Sequence, residues 1–247
     1  MNRIVYSLLP VYNEGQSIYD LLNTYSDVQE TTGIIFEIIV VNDCSKDNSD
    51  SFILRAIDEF TDLSIHYIKH EENIGLDGAL KTGFNHVKDL IKENDILITM
   101  DGDNTHNPFL IPSMINKIDE GVSICIASRY LEQSRIYGLS LFRIFLSTGA
   151  KYLYKLMWRF NGVADYTCNF RVYRGGLFLN FVNKYQDNII EEKGFTAVVE
   201  ILKKMYELEP YVCEVPMILK YSNKVEESNM QIVKTVKQTL KILFGKN

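Results

Sequence analysis

Two aspartates separated by a single residue follow a run of mostly apolar residues at positions 96–100 of this 247-residue chain. Asp101 and Asp103 come directly after that run, and Pro108, which suits the first turn of a helix, comes soon after them. Because carboxylates this close repel each other, a cation between them would favour their ionised forms. Carboxylate oxygens suit Mg²⁺ or Mn²⁺, and these ions usually bring a phosphate with them. The segment therefore predicts a metal-dependent phosphate site.

Two other classes of protein, those with an EF-hand and those with a glycine-rich nucleotide-binding motif, fit the sequence less well. An EF-hand loop starting at Asp101 would need glycine at its sixth position and glutamate at its twelfth, where this chain has His106 and Pro112. The motifs G-x-x-x-x-G-K-[ST] and G-x-G-x-x-G do not occur, which argues against P-loop NTPases and dinucleotide oxidoreductases. The alternative that the two aspartates are structural residues of an ordinary turn stays open at this point.

Apolar strands and amphipathic helices alternate through the first half of the chain. Strands are predicted at 4–9, 36–41, 64–68, 95–100 and 122–127, and helices at 16–29, 49–60, 77–92 and 109–119. The alternation predicts an α/β fold with a mostly parallel central sheet and helices on both faces. Beyond residue 128 the pattern changes to helices at 139–159, 194–207 and 229–243, with strands at 169–173 and 211–219. We expect a single domain over 1–247, in which 1–127 binds a nucleotide and 128–247 completes the cleft.

Polar loops follow three further predicted strands, and they begin at Pro10, Asn42 and Asn73. The carboxyl ends of parallel strands meet at one edge of a sheet, which is where open α/β sheets bind ligands. These loops should therefore converge with the aspartate pair. Gly75 and Gly78 would let the backbone approach a ligand closely. For each loop alone, a turn that caps a helix is the alternative.

Composition places the chain among ordinary globular proteins, with 46% hydrophobic and 23% charged residues. Its four scattered cysteines form no C-x-x-C pair, which predicts neither a zinc site nor a disulfide framework. The apolar run at the N-terminus is too short for a signal peptide, and there is no uncharged stretch of 18 apolar residues. We therefore expect a cytoplasmic protein without a transmembrane helix.

The net charge of −6 conceals two basic segments. Residues 128–160 contain six Lys or Arg and one Glu, and residues 220–247 contain six Lys and two Glu. This asymmetry predicts contact with an anionic ligand or with an anionic surface such as the inner face of the cytoplasmic membrane. A solvated helix face is the alternative. No nucleic-acid partner is expected, and the oligomeric state is left open.

Taken together, the loops resemble family-2 glycosyltransferases of the GT-A fold. The matching segments are 10–14 (P-x-Y-N-E), 40–45 (V-V-D-D-G-S), 73–75 (N-x-G), 101–103 (D-x-D) and 128–130 (S-R-Y). Residues 143–150, 165–171, 194–195, 200 and 214–216 resemble the branch of polyprenyl-phosphate sugar synthases, which includes dolichyl-phosphate mannose synthase. The chain departs from these patterns at four positions, namely Asn42, Cys44, Thr105 and Asn169.

The resemblance implies a GDP- or UDP-sugar as donor and a Mg²⁺ or Mn²⁺ ion held by Asp101 and Asp103. It also implies a set of donor-binding residues around that ion. They are Pro10, Tyr12, Asn13, Glu14, Asp43, Ser45, Asn73, Gly75, Gly78 and Gly102, together with the two aspartates. Arg129 and Arg143 are predicted to add positive charge near the leaving group or an acceptor phosphate.

The implied reaction is an inverting transfer of a sugar to a polyprenyl phosphate, such as dolichyl or undecaprenyl phosphate. A phosphate is already ionised at neutral pH and can attack directly. A sugar hydroxyl of a lipid-linked or polysaccharide acceptor is an alternative that would need a general base, for which Asp165 and Glu200 are the predicted residues. A catalytically silent subunit that binds nucleotide sugars is a third hypothesis.

Overall fold

The computed structural model describes residues 3–138, 149 and 154–220. The strands are β1 (Val5–Val11), β2 (Phe36–Asn42), β3 (Ser64–Lys69), β4 (Ile96–Thr99), β5 (Ile124–Ser128), β6 (Arg135–Tyr137), β7 (Arg171–Arg174), β8 (Val212–Pro216) and β9 (Ile218–Lys220). The helices are α1 (Gln16–Thr32), α2 (Ser49–Glu59), α3 (Gly75–Val87), α4 (Ile111–Asp119), α5 (Gly175–Tyr185) and α6 (Phe195–Tyr206). Short 3-10 turns occur at Pro108–Leu110 and Gln186–Asn188.

Seven strands form one sheet in the order β3-β2-β1-β4-β7-β5-β8. Every pairing in it is parallel except those of β7, which runs antiparallel to β4 and β5. All seven residues of β1 and all four of β4 are buried, as expected for strands covered on both faces. The predicted α/β fold with a mostly parallel sheet is confirmed. Strands β5, β7 and β8 join the sheet that β1–β4 begin, so both halves of the sequence contribute to one core.

The structure differs from the predicted elements in four places, the last of which is helix α5. The segment predicted as one strand at 211–219 is two strands, because Pro216 ends β8 and the chain then pairs with β6 as β9 in a separate sheet. Strand β6 is only three residues long and was not predicted. Helix α3 ends at Val87, five residues before the predicted end. Asp95 accepts hydrogen bonds from the backbone N–H groups of Lys92 and Ile4, which hold the turn between α3 and β4.

Helix α5 was not predicted, because it begins with two glycines that resemble a loop. Gly175 donates its N–H to the Asp95 carbonyl at 2.8 Å, and a Cβ at this position would lie 2.1 Å from the carbonyl oxygen of Lys92. Glycine therefore permits the close approach with which the chain turns from β7 into the helix. Leu177, Phe178 and Phe181 then form the buried side of α5.

Three of the predicted features lie wholly or mostly outside the described residues. They are Arg143, the predicted helix at 229–243 and most of the one at 139–159, of which only residues 154–158 are described as a helical segment. Among the described residues, no helix combines the length and the apolar character that a membrane crossing requires.

Candidate active site

The loop after β4 carries the D-x-D aspartates against the end of β1. Asp101 and Asp103 are half-buried, whereas Gly102 between them is buried. A Cβ on Gly102 would lie 2.9 Å from both the Pro10 carbonyl oxygen and a methyl group of Val11. Only glycine fits this contact without a shift, so the contact sets the distance between the D-x-D loop and the loop that follows β1.

Local hydrogen bonds fix the carboxylate of Asp103. Its Oδ1 accepts from the backbone N–H of Thr105 at 3.1 Å and from the Thr105 hydroxyl at 2.7 Å. Asn104 between them has φ of +57°, a left-handed conformation that asparagine tolerates better than most residues. The Thr105 carbonyl in turn accepts from the backbone N–H of Lys220, which ties β9 to the D-x-D loop.

Asp101 is contacted from the C-terminal half of the chain. The Nδ2 group of Asn169 donates to Asp101 Oδ1 at 3.1 Å, across 68 residues of sequence. The Asn169 carbonyl accepts from the hydroxyl of Thr99, the last residue of β4, at 2.7 Å. Asn169 lies just before β7, the antiparallel strand inserted beside β4, and that insertion brings the contact about.

The loops after β1 and β2 are bonded to each other. Asn13, with φ of +55°, accepts from the backbone N–H of Lys46 through its side chain and donates its own N–H to the Ser45 hydroxyl at 3.0 Å. Gly15 and Glu14 both donate their N–H groups to the Ser49 hydroxyl. Four of the predicted donor-binding residues therefore belong to one connected loop pair, namely Tyr12, Asn13, Glu14 and Ser45, and Pro10 lies near the end of β1. Their predicted contacts with a nucleotide stay predictions.

Asp43 lies behind the loop at residues 73–75. It is 3% exposed; its Oδ1 accepts from Ile74 N at 2.9 Å, and its Oδ2 accepts from Gly75 N at 2.8 Å. His70 Nδ1 lies 2.8 Å from the same carboxylate, and the Asn73 side chain donates to the Asp43 carbonyl. The predicted contact with a base or ribose stays a prediction. In the structure, Asp43 holds residues 73–75 at the edge of the sheet.

Glycine is favoured at both predicted glycine positions of this loop, at Gly75 by the backbone conformation and at Gly78 by the packing of Ile74. Gly75 has φ of +88°, in the left-handed region that glycine adopts most readily. A Cβ on Gly78 would lie 2.5 Å from the side chain of Ile74. Asp77, in the same turn, accepts from the backbone N–H of Gly194 at 2.7 Å, which links this loop to the start of α6. That link was not predicted.

Arg129 and Asp165 form an ion pair with two parallel hydrogen bonds. The Asp165 side chain is 0% exposed and that of Arg129 is 14% exposed. Burial alone would raise the pKa of the Asp165 carboxyl, but the charge and hydrogen bonds of Arg129 outweigh it and lower that pKa. Asp165 also accepts from the backbone N–H groups of Thr167 and Cys168, so the ion pair anchors the loop that leads to Asn169.

Glu200 is buried on α6 and bonded within its own half of the chain. Its carboxylate accepts from the backbone N–H groups of Glu191 and Glu192 and lies 2.7 Å from the Lys204 ammonium. It therefore ties the segment before α6 to the helix. Both acids that were predicted as general bases are thus engaged by cations and amides of the chain itself.

The oxygen atoms around the D-x-D loop fit a hard divalent cation. Carboxylates and neutral amide or hydroxyl oxygens are the ligands that Mg²⁺ and Mn²⁺ prefer. No group of three or more His, Cys, Asp or Glu side chains in the described part of the chain could hold a metal ion. A cation between Asp101 and Asp103 would therefore use other oxygen atoms as well, such as those of a diphosphate.

A shallow groove lies beside the D-x-D loop. It has a volume of about 210 Å³, and its lining includes Asn107, Phe109, Phe170, Met217 and Ile218. Asn107 lies four residues after Asp103 in the sequence and Phe170 follows Asn169, whereas neither aspartate lines the groove. Phe109 and Ile218 are 50% and 51% exposed, which makes one side of the groove apolar and open to solvent.

Comparison with models of known protein families gives a match for this chain. Residues 8–180 match the model of the family described as glycosyl transferase family 2. The chain belongs to that family. The resemblance found in the loop motifs is confirmed, and the five loops that carried it include those that meet at the Gly102 and Asn13 contacts.

The family-2 chain has curated relatives among undecaprenyl-phosphate sugar transferases. The undecaprenyl-phosphate 4-deoxy-4-formamido-L-arabinose transferases of Salmonella typhimurium and Salmonella newport are each 33% identical to it over 169 residues. The alignment covers 68% of this chain and 47% of each relative, so the chain matches less than half the length of these proteins.

Solved structures show the same fold. Glucosyl-3-phosphoglycerate synthase from Mycobacterium tuberculosis, in complex with Mg²⁺ and UDP, superposes with a TM-score of 0.67 at 14% identity, covering 100% of this chain and 80% of that one. The same enzyme in complex with Mn²⁺ and UDP-glucose gives 0.66 at 14% identity, with the same coverage. At this identity the likeness concerns the fold alone, and it confirms the GT-A architecture.

Proposed function

We propose that this family-2 chain transfers a sugar from a nucleotide-diphosphate sugar to a polyprenyl phosphate, with inversion at the anomeric carbon. The observation that carries the proposal is the D-x-D pair at the end of β4, whose carboxylates are each oriented by a neighbouring polar side chain. The names of the curated relatives, which act on undecaprenyl phosphate, support the acceptor class. Complexes of the structural neighbour with UDP-glucose and Mn²⁺ support the donor class.

The residues of the site have separate roles in this proposal. Asp101 and Asp103 would hold the divalent cation, which when bound neutralises charge on the diphosphate leaving group. Asp43 keeps the 73–75 loop in place, and the bonded loops around Asn13 form the neighbouring part of the donor site. Arg129 is neutralised by Asp165, so we assign it to positioning the 165–169 loop.

The state of the two acids favours a phosphate over a hydroxyl as nucleophile. A hydroxyl needs a base that is available to take a proton. Asp165 is held by Arg129, which lowers its pKa, and Glu200 is held by Lys204 and two amides. A phosphate monoester, with a second pKa near 6, needs no base at neutral pH. This favours the polyprenyl phosphate over the sugar-hydroxyl alternative.

We assign the acceptor's hydrocarbon chain to the apolar groove whose lining includes Asn107, four residues after Asp103. Phe109 and Ile218 offer exposed apolar surface there, and the first isoprene units of a polyprenyl phosphate are apolar from the phosphate ester onward. Replacing Phe109 with Asp should raise the KM for the lipid and leave the KM for the donor unchanged. An equal rise in both would place the lipid elsewhere.

Because such an acceptor resides in a membrane, we propose that the protein works at a membrane face. Its basic segments, 128–160 and 220–247, supply the charge for attraction to anionic lipid. Flotation with vesicles containing phosphatidylglycerol, at low and high salt, tests this. Binding should be strong at low salt and fall at high salt, whereas no binding at low salt would contradict it.

Turnover tests the proposed reaction directly. The chain is incubated with Mn²⁺, undecaprenyl phosphate and a panel of UDP- and GDP-sugars, and the glycolipid is detected by mass spectrometry. Product from wild type and from the surface control Asp119→Asn, with none from Asp103→Asn, is the expected result. Donor hydrolysis or transfer to a sugar hydroxyl without lipid product would overturn the acceptor, and nucleotide binding without any turnover would favour a silent binding subunit.

A further inference from the structure

Asn169 is a side chain from the C-terminal half that contacts Asp101 of the D-x-D pair. It is 5% exposed, and its amide lies 3.1 Å from Asp101 Oδ1. The hydrogen bond from the Thr99 hydroxyl to its backbone carbonyl fixes its position relative to β4. The amide group is therefore held beside a carboxylate that we assign to a divalent cation.

The 3.1 Å separation suits two ligands of one ion. Neighbouring oxygen ligands of an octahedral ion with bonds of about 2.0–2.1 Å lie about 2.8–3.0 Å apart. The two ends of an asparagine amide have nearly the same shape, so a half-turn of the group exchanges Oδ1 and Nδ2. Without a cation, Nδ2 faces the carboxylate because it can donate a hydrogen bond. With a cation bound to Asp101, the oxygen is the favoured end.

Thr105 is less suited to act as a third ligand. Its hydroxyl donates to Asp103 Oδ1 at 2.7 Å and is thereby used to orient that carboxylate. Its backbone is held on both sides, by Asp103 and by Lys220. A neutral amide from Asn169 would instead add an oxygen ligand without adding negative charge that repels a diphosphate.

We propose that Asn169 is the third protein ligand of the cation held by Asp101 and Asp103, through Oδ1. This inference rests on the proposed function, because it presupposes a cation at the D-x-D pair. It assigns metal binding to a residue outside the D-x-D motif, which the antiparallel insertion of β7 beside β4 brings to the site.

Metal binding without nucleotide tests the inference. Free Mn²⁺ is measured by the EPR signal of the aqueous ion in wild type, Asn169→Ala and the distant surface control Asn85→Ala. We expect Asn169→Ala to weaken Mn²⁺ binding by roughly tenfold or more, and the control to match wild type. Thermal unfolding shows whether each variant folds. If Asn169→Ala does not fold, Asn169→Leu takes its place, because leucine has nearly the shape of asparagine but no oxygen that could bind a cation.

A cysteine at this position separates ligation from mere orientation. Thiolates prefer soft ions, so Asn169→Cys should bind Cd²⁺ more tightly than Asn169→Ala does and show the ultraviolet charge-transfer absorption of a Cd²⁺–thiolate bond. Both variants keep the four native cysteines, which serve as an internal control. No gain in Cd²⁺ binding, or unchanged Mn²⁺ affinity in Asn169→Ala, would overturn the inference. Absence of Mn²⁺ binding in wild type, both alone and with UDP or GDP added, would instead overturn the cation in the proposed function.

Discussion

The guanidinium of Arg129 and the carboxylate of Asp165 form a buried ion pair, with an Nε–Oδ2 distance of 2.7 Å and an Nη2–Oδ1 distance of 2.6 Å. The Arg129 backbone N–H donates to the same carboxylate at 3.1 Å. Asp165 begins the loop that ends at Asn169, so this pair connects the end of β5 with the residue that contacts Asp101. We therefore expect that breaking this ion pair lowers the free energy of unfolding and weakens metal binding.

Removing the negative charge of this pair should be costly. Asp165→Asn leaves the Arg129 guanidinium buried without its counter-charge, and we expect the free energy of unfolding to fall by about 3–5 kcal/mol. Urea denaturation measures this. The matched control is Asp119→Asn, which removes a carboxylate from an exposed pair with Arg3 and should cost less than about 1 kcal/mol. Equal losses in the two variants would contradict the assignment.

The same pair predicts a dependence of stability on pH. Arg129 lowers the pKa of Asp165 in the folded state, so the folded protein binds fewer protons there than the unfolded chain. The stabilisation is present above the unfolded pKa of about 3.9 and is lost as the pH falls toward the folded pKa. Between about pH 5 and pH 3, wild type should therefore lose stability more steeply than Asp165→Asn. Parallel curves from denaturation at each pH would rule this out.

Asp43 should affect nucleotide binding through the loop that it holds. Asp43→Asn keeps the shape of the side chain but replaces one charged acceptor, which Ile74, Gly75 and His70 share, with an amide. We expect a loss of about 1–3 kcal/mol in the free energy of unfolding and weaker binding of UDP or GDP. Denaturation and calorimetric titration measure the two effects. Weaker nucleotide binding at unchanged stability would instead indicate a direct contact, as the sequence predicted.

Much of the fold follows from local sequence, whereas the site contacts do not. The apolar runs at 36–41 and 96–100 are long enough to identify buried strands, and the helices between them show their amphipathic spacing. Strand β7 has four residues, and nothing local to it indicates that it runs antiparallel between β4 and β5. The Asn169–Asp101 contact depends on that insertion, so the motif showed an unusual residue at 169 without showing what it touches.

The predicted roles of acidic residues depended on information that a sequence does not contain. Asp43, Asp165 and Glu200 each lie in a segment that matches the family, which indicates a site but not which atoms a carboxylate meets. In the structure, Asp43 contacts a histidine and two backbone amides. Asp165 contacts an arginine, and Glu200 contacts a lysine and two backbone amides. The partners of Asp165 and Glu200 include residues 36 and 8–9 positions away, and those of Asp43 lie 27–32 positions away.

The packing of Gly102 against β1 predicts a selective effect on the site. In Gly102→Ala the new methyl group would meet the Pro10 carbonyl oxygen at 2.9 Å, so the D-x-D loop must move. We expect a loss of about 1–3 kcal/mol in the free energy of unfolding, together with weaker binding of Mn²⁺ and nucleotide. Gly176→Ala is the matched control, because its Cβ would meet no atom closer than 3.7 Å. Nucleotide affinity unchanged in Gly102→Ala would contradict the contact.

The dependence of nucleotide affinity on a divalent cation tests the central claim most directly. UDP and GDP are titrated by calorimetry into wild type, Asp103→Ala and the surface control Asp119→Ala, with Mn²⁺ or with EDTA. Wild type and the control should bind one of the nucleotides with Mn²⁺ and bind it much more weakly with EDTA, whereas Asp103→Ala should show the weaker affinity in both. Equal affinity in wild type with Mn²⁺ and with EDTA, or Mn²⁺-dependent binding that survives in a folded Asp103→Ala, would contradict the assignment of Asp101 and Asp103 to a cation.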